Sequence, residues 1–283
     1  MKQKSIYLNT KDYSVSGEKF QLLYNDELDM LETFPQPKGE RLSEYYKSED
    51  YISHTDSKKN LFEKVYHLVR SISLKKKVSL INSFQTSEKN LLDIGCGTGD
   101  FLQTAQINNW TISGVEPNAD ARKIANTKTN NKVFQIDQLQ KFKAHSFDVI
   151  TLWHVLEHLP ELENQMSVFK KLLKPNGVLV IAVPNYKSYD ALYYKIFWAA
   201  FDVPRHLWHF SKTSISKLVS KQNLFVEKTL PMVFDSFYVS MLSEKYKKGS
   251  LNLFNAFRVG LLSNLKAKRS KEYSSLIYVI KNS

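Results

Sequence analysis

A single cysteine, Cys96, among 283 residues excludes any disulfide within the chain and any zinc site built on paired cysteines. It suits a reducing compartment, so a cytoplasmic location is expected. Long apolar runs are missing too. The longest purely aliphatic stretch, Val178 to Val183, is six residues, against the roughly 20 that a spanning helix needs. The first residues, Met1-Lys-Gln-Lys-Ser-Ile-Tyr7, lack the apolar centre of a secretion signal. The expectation is a protein neither exported by a standard signal nor membrane-spanning. Repeats and low-complexity tracts are absent as well.

Acidic side chains are scarce at one end. Residues 240–283 hold nine basic and two acidic side chains, a net +7 out of a formal +12. That stretch, with Lys245, Lys247, Lys248, Arg258, Lys266, Lys268, Arg269 and Lys271, can meet a nucleic acid, an anionic membrane surface or an acidic substrate. The plain alternative is a solvated basic face. No RNA-binding signature accompanies it.

What is present is an ordinary globular composition, 42% apolar and 24% charged. Its length fits one large core plus an appendage. From residue 90 onward, short apolar runs alternate with helix-like stretches, the pattern of a parallel α/β sheet. Strands are expected at Asn90–Gly95, Trp110–Glu116, Lys132–Asp137, Phe147–Trp153, Gly177–Pro184, Leu224–Leu230 and Ser274–Lys281. Helices are expected at Asp100–Ile107, Ala119–Thr127, Leu162–Leu173 and Thr213–Gln222, with Lys174-Pro-Asn-Gly177 as a breaker. Leu61, Val65, Leu68, Ile72 and Val78 predict a helix packed on the sheet. Residues 1–56 read as a small ordered lobe or cap. Tyr7, Tyr13, Phe20, Tyr24, Phe34, Tyr45, Tyr46 and Tyr51 are too many aromatics for a solvated linker.

The most informative segment is Leu91-Leu-Asp-Ile-Gly-Cys-Gly-Thr-Gly-Asp100. An apolar strand runs into Gly95-x-Gly97-x-Gly99 and then a helix, so a ligand can approach main-chain atoms. Cys96 reads as a small residue of this loop, with no base arranged beside it. A glycine loop alone is weak evidence, but two carboxylates sharpen it. Asp93 lies inside the strand, where a carboxylate needs a positive or hydrogen-bonding partner; a ligand ammonium would be one. Glu116, followed by Pro117, ends the next strand, where an acid can accept both hydroxyls of a ribose. A dinucleotide fingerprint would need its third glycine at position 100, which is Asp100. A nicotinamide oxidoreductase is therefore the weakest rival, and a nucleoside without a pyrophosphate fits better.

These segments, with Val115-Glu-Pro-Asn118, Phe147-Asp-Val-Ile-Thr-Leu-Trp-His-Val-Leu-Glu-His-Leu-Pro160 and Leu172-Leu-Lys-Pro-Asn-Gly-Val-Leu-Val-Ile-Ala-Val-Pro-Asn185, resemble class I S-adenosylmethionine-dependent methyltransferases. The nearest flavour is the ubiquinone-biosynthesis-like O-methyltransferase group, over roughly residues 60–283. The resemblance implies a Rossmann-like, seven-stranded, mostly parallel sheet with helices on both faces, a small N-terminal lobe and an inserted lid. It implies S-adenosylmethionine as cofactor and S-adenosylhomocysteine as product. By the same resemblance, the loop of Gly95, Cys96, Gly97 and Gly99 contacts the methionine half and Glu116 holds the ribose; Asp93 and Pro117 are expected to bind the cofactor with them. Asp137 and Gln138 lie near adenine, and Trp153 and His154 line the cofactor. Some relatives carry a zinc ribbon ahead of the core; without its cysteines, any counterpart here is metal-free. Others hold a divalent ion with Glu-x-x-Glu-His, a pattern broken here at His154, so no metal ligands are assigned among His154, Glu157 and His158.

Methyl transfer to oxygen needs a general base, most often histidine. His206 is the expected base, with His209 and Arg205 as helpers; loop-stabilising roles are the alternative. The segment 186–210, with nine aromatics, is expected to form a lid over an apolar or aromatic acceptor. A small hydrophobic subcore is the competing reading. The domains expected are a lobe at 1–56 and a methyltransferase domain at 57–283. The latter carries the lid and a basic connection at 235–270. The partner expected is a small-molecule acceptor, with peripheral membrane contact open, nucleic acid disfavoured, and a monomeric or homodimeric state. A nucleic-acid methyltransferase and a non-catalytic binder of the same nucleoside are the rival functions.

Overall fold

The computed structural model describes residues 4–39, 41, 44–46 and 61–283, with only the backbone of 61–66. The expected boundary at 56/57 and Tyr51 lie outside them. Seven strands make one sheet: β4 (Asn90–Ile94), β5 (Thr111–Val115), β6 (Val133–Phe134), β7 (Phe147–Trp153), β8 (Leu173–Pro184), β10 (Leu224–Pro231) and β11 (Ser275–Asn282). Their order is β10-β11-β8-β7-β4-β5-β6. All neighbours run parallel except β11, which is antiparallel to β8 and β10. Strands β7 and β8 are almost continuously apolar because helices cover both faces of the sheet's centre.

Helices α1 (Leu61–Asn82), α2 (Asp100–Ile107), α3 (Ala119–Thr129), α4 (Leu162–Leu172) and α6 (Lys212–Ser220) flank the sheet; α5 (Tyr189–Tyr194) lies in the segment 186–210, the expected lid. In α4, Leu162, Met166, Phe169 and Leu172 recur at helical spacing and are buried. The Asn118 side chain caps α3 by accepting from the Ala121 N–H at 2.9 Å. Helix α1 packs through Val78 and Ile81, whereas Leu68, expected on that face, is exposed.

Three expectations are corrected. The 174–177 breaker lies inside β8. Phe147 pairs with Leu173 and Val149 with Val178, so the extra residues bulge out of a strand that resumes its register. The strand expected at 132–137 has only two residues, followed by a 3₁₀ turn at Ile136–Gln140 that carries Asp137. The basic connection at 235–270 is a helical hairpin, α7 (Asp235–Lys248) and α8 (Leu253–Ser270). Its apolar periodicity is interrupted on one face by basic residues, which hid it.

A second, antiparallel sheet has the order β1-β2-β3-β9. Strands β1 (Ser5–Lys11), β2 (Lys19–Asn25) and β3 (Met30–Phe34) come from the N-terminal lobe. Strand β9 (Trp208–His209) comes from the lid, with Leu31 facing His209 and Glu32 facing Trp208. Lobe, lid and hairpin share a core of Leu22, Leu31, Tyr194, Trp198, Phe201 and Val259. The subcore reading of the 186–210 aromatics thus holds for Tyr194, Trp198 and Phe201. Asp29 joins the two sheets: it accepts from Tyr24 at 2.8 Å, Ser211 at 2.8 Å and Lys187 at 2.6 Å.

Candidate active site

The chain passes from β4 outward to β5 and β6, then returns to start β7 on the other side of β4. The carboxyl ends of β4 and β7 are therefore the place where strand order reverses and a crevice opens. The glycine loop leaves β4 there, and Trp153 and His154 leave β7.

Gly95 has φ +66, and an added Cβ would lie 2.5 Å from the Val155 side chain, so the two loops can meet only around a glycine. Gly97, at φ +55, differs: a Cβ there would meet nothing within 4 Å. Its backbone borders open space. Gly99 abuts Ala125 of α3. The Gly97 N–H donates to Glu116 at 2.8 Å and the Asn118 N–H to its other carboxylate oxygen at 2.9 Å. The carboxylate is thereby fixed in orientation with acceptor capacity to spare. Burial raises its pKa, opposed by those two N–H bonds.

Asp93 is buried and accepts from Thr151 Oγ1 at 2.6 Å. Burial lifts its carboxyl to about 7, against the bond from Thr151 and the charge of Lys77. Lys77, on α1, lies with its ammonium 4.4 Å from the centre of the Trp153 ring. Burial lowers its pKa, with Asp93 and Asp235 pulling the other way. The Trp153 indole N–H is buried with no partner among the described residues. Burial pushes the Cys96 thiol pKa up, which suits an inert small residue.

Asp100 is neutralised where it stands by Lys128 at 2.8 Å and by Arg70. Its charge therefore does not repel a phosphate; what departs from a dinucleotide loop is the missing glycine. Asp137 is exposed and pairs with Lys141 at 2.5 Å. Gln138 sits in the same turn, and Pro117 offers its carbonyl to Arg122 at 3.1 Å.

His154, at φ +57, holds a left-handed backbone. Its Nε2 lies 3.0 Å from Asp235 and its Nδ1 3.4 Å from Glu157. Burial alone would lower its pKa, but these two carboxylates raise it to about 10. Beyond it, Glu157, His158 and His206 converge, each with a ligand atom within 4.8 Å of the others. Their fixed ring nitrogens point outward from the cluster. His158 Nδ1 donates to the Arg205 carbonyl at 3.0 Å, and His206 Nδ1 donates to the Ala200 carbonyl at 2.9 Å. Both Nε2 atoms are left as acceptors. Burial, with His206 beside it, lowers His158 to about 4. Burial opposes ionisation of Glu157, but His154 and the neighbouring histidines hold its pKa down. Neither Glu157 carboxylate oxygen accepts a hydrogen bond among the described residues.

The helper roles expected of Arg205 and His209 find no support. The Arg205 guanidinium is buried and spent on Asp12 at 3.0 Å, Asp202 at 2.7 Å and the Tyr45 carbonyl at 3.2 Å. It clamps the N-terminal lobe to the 186–210 segment. His209 lies in β9 with Nε2 3.0 Å from Thr33, and burial, with His206 beside it, drops its pKa well below the ordinary histidine value. Lys77, Thr151 and Asp235 were not found from sequence. Thr151 alone left a signal, a hydroxyl within the apolar run Val149–Trp153 of a central strand.

The class this fold and site define is also the class the chain matches: over residues 60–229 it fits the methyltransferase domain family, and it belongs to that family. A ubiquinone biosynthesis O-methyltransferase from Histophilus somni (strain 2336) is 31% identical over 110 residues, 35% of this chain and 46% of that protein. One from Citrobacter koseri is 26% identical over 104 residues, 34% of this chain and 43% of that protein. The chain spans about half the length of the curated relatives it matches, 43% and 51% for two of them. The structure of magnesium protoporphyrin IX methyltransferase from Synechocystis PCC 6803 with bound SAH shares the fold. Its TM-score is 0.56 at 15% identity, covering 85% of this chain and 97% of that one.

Proposed function

We propose that the protein transfers a methyl group from S-adenosylmethionine to a hydroxyl of a small apolar or aromatic acceptor, releasing S-adenosylhomocysteine. The observation that carries this reading is the open space beside Gly97, whose N–H fixes the Glu116 carboxylate, on the loop that follows the strand of buried Asp93. When bound, the cofactor supplies a methyl carbon on a sulfonium, so a C–O bond forms as the C–S bond breaks, in line. Glu116 accepts the ribose hydroxyls. Asp93 would hold the methionine ammonium and Lys77 its carboxylate. His206 takes the hydroxyl proton on Nε2 while Nδ1–H stays bound to the Ala200 carbonyl. The lid excludes water from the transfer. The oxygen preference rests on the O-methyltransferase relatives, at 26% and 31% identity.

Calorimetric titration with S-adenosylmethionine and S-adenosylhomocysteine tests the cofactor site. Saturable heat with both is expected; no heat from natively folded protein overturns the reading. Transfer of labelled methyl to phenolic probes tests the chemistry, and heat without any turnover leaves a binding protein.

A second reading of the Glu157, His158 and His206 cluster is favoured by buried Glu157, whose carboxylate has the 3.4 Å ion pair with His154 but accepts no hydrogen bond among the described residues. Two imidazoles oriented by carbonyls and one carboxylate form a donor set that fits a divalent transition-metal ion. Metal addition should then raise the melting temperature of the protein and not of a Glu157→Gln variant.

A further inference from the structure

We propose that the α7–α8 hairpin docks the protein on an anionic bilayer surface through an apolar stripe on α8. Phe254, Phe257, Leu261 and Leu265 recur at helical spacing, on the side away from the buried Ala256, Val259, Gly260, Ser263 and Ala267. Phe254 is 82% exposed, Phe257 61%, Leu261 41% and Leu265 47%. Phe257 stacks one face on Phe237, with ring centroids 5.4 Å apart, and the rest of the row faces outward. Four large apolar side chains in one row are a patch that water disfavours, beyond the scattered exposure normal for a surface.

The charge around the stripe says what covers it. Arg258, Lys268 and Arg269 flank it, and Lys247 and Lys266 extend over the Tyr193 and Tyr189 rings on the adjoining surface, at 5.4 Å and 3.7 Å. The two acids of residues 240–283 do not offset them: Glu244 is buried, and Glu272 pairs with Lys212 at 2.8 Å. A helix with an apolar row between cations, lying on the outside of a domain, fits the headgroup boundary of an anionic membrane. A second copy of the chain would bring the same +7 against itself. A nucleic acid would satisfy the cations and leave the leucines against phosphate. The hairpin is also tied to the lid, through Ser263 to Asp190 at 2.6 Å and the Ala199 N–H to Ser243 at 2.9 Å. Docking therefore holds the lid at the membrane, and, resting on the methyltransferase reading, the acceptor is of a class that partitions into bilayers.

The test is flotation of the full-length chain with vesicles of phosphatidylcholine alone and with about one third phosphatidylglycerol. Neither cofactor nor turnover is needed, so failure here is distinct from failure of the cofactor reading. Binding to the anionic vesicles alone is expected, weakened on the order of tenfold by Phe254→Asp with Leu265→Asp. A similar loss is expected from Lys268→Glu with Arg269→Glu. Circular dichroism checks that each variant is folded. Equal binding to neutral vesicles, no binding, or binding unchanged by the apolar substitutions overturns the proposal. So does a dimer that Phe254→Asp dissolves. Salt-sensitive binding of an oligonucleotide in place of vesicles overturns it equally.

Discussion

The end of the crevice proposed for the cofactor and the end proposed for the acceptor are built in opposite ways. The cofactor end is local: Asp93, Gly97 and Glu116 lie within two consecutive strand–loop units, and most of their bonds are to nearby backbone. The acceptor end is assembled from afar. Arg205 reaches Asp12, the Thr33 hydroxyl donates to the His206 carbonyl and lies 3.0 Å from His209 Nε2, and β9 completes a sheet begun at residue 5. Main-chain geometry sets the first; buried ion pairs between distant segments set the second. The first should therefore fail by losing ligand and the second by losing structure or turnover.

The largest effect expected is on turnover. His206→Ala should lower kcat by about 10²–10⁴-fold, with cofactor affinity from calorimetry unchanged. A parallel loss of affinity would merge the two ends. Arg205→Ala should come next: it strands Asp12 and Asp202 in the interior and should cost about 3–5 kcal/mol in denaturant unfolding. Arg205→Lys should rescue little, since one ammonium cannot serve the three partners. A near-neutral Arg205→Ala would show that lobe and lid need no clamp.

Glu116→Ala should weaken cofactor binding by about 10- to 100-fold while the sheet stays folded; unchanged affinity would remove its ribose role. The most gradual effect is one of pH, spread over about three units. Burial puts Asp93 at about 7, above the ordinary value of about 4 for an unfolded chain. The native state thus binds this proton more tightly than the unfolded one. Stability of the cofactor-free protein should fall as pH rises from about 4 to about 7. Affinity for the ammonium-bearing cofactor should rise over the same window, by up to about tenfold per pH unit. Asp93→Asn should flatten both profiles, and a profile unchanged by it would place the titration elsewhere.

Much of this was legible before the structure. Six of the seven expected strands recur with ends shifted by a few residues at most, because a parallel sheet buried on both faces leaves unbroken apolar runs. Asp93, the loop glycines and Glu116 were legible because their spacing along the chain is also their spacing in space. Arg205 was misread because a guanidinium in a loop looks free until Asp12 is seen beside it. The α8 helix was hidden for a related reason: Phe254, Phe257, Leu261 and Leu265 keep helical spacing but face outward, among cations that read as a polar connection.

By itself, then, the sequence determined the sheet, its glycine turn and the two carboxylates around it, since nearest-neighbour sterics and strand burial act over a few residues. Tertiary structure alone decided that Lys77 and Asp235 join the crevice, that Glu157, His158 and His206 converge, and that the N-terminal strands and the lid form one sheet. Those contacts depend on buried charges and imidazoles finding partners far along the chain, a condition that no local pattern records.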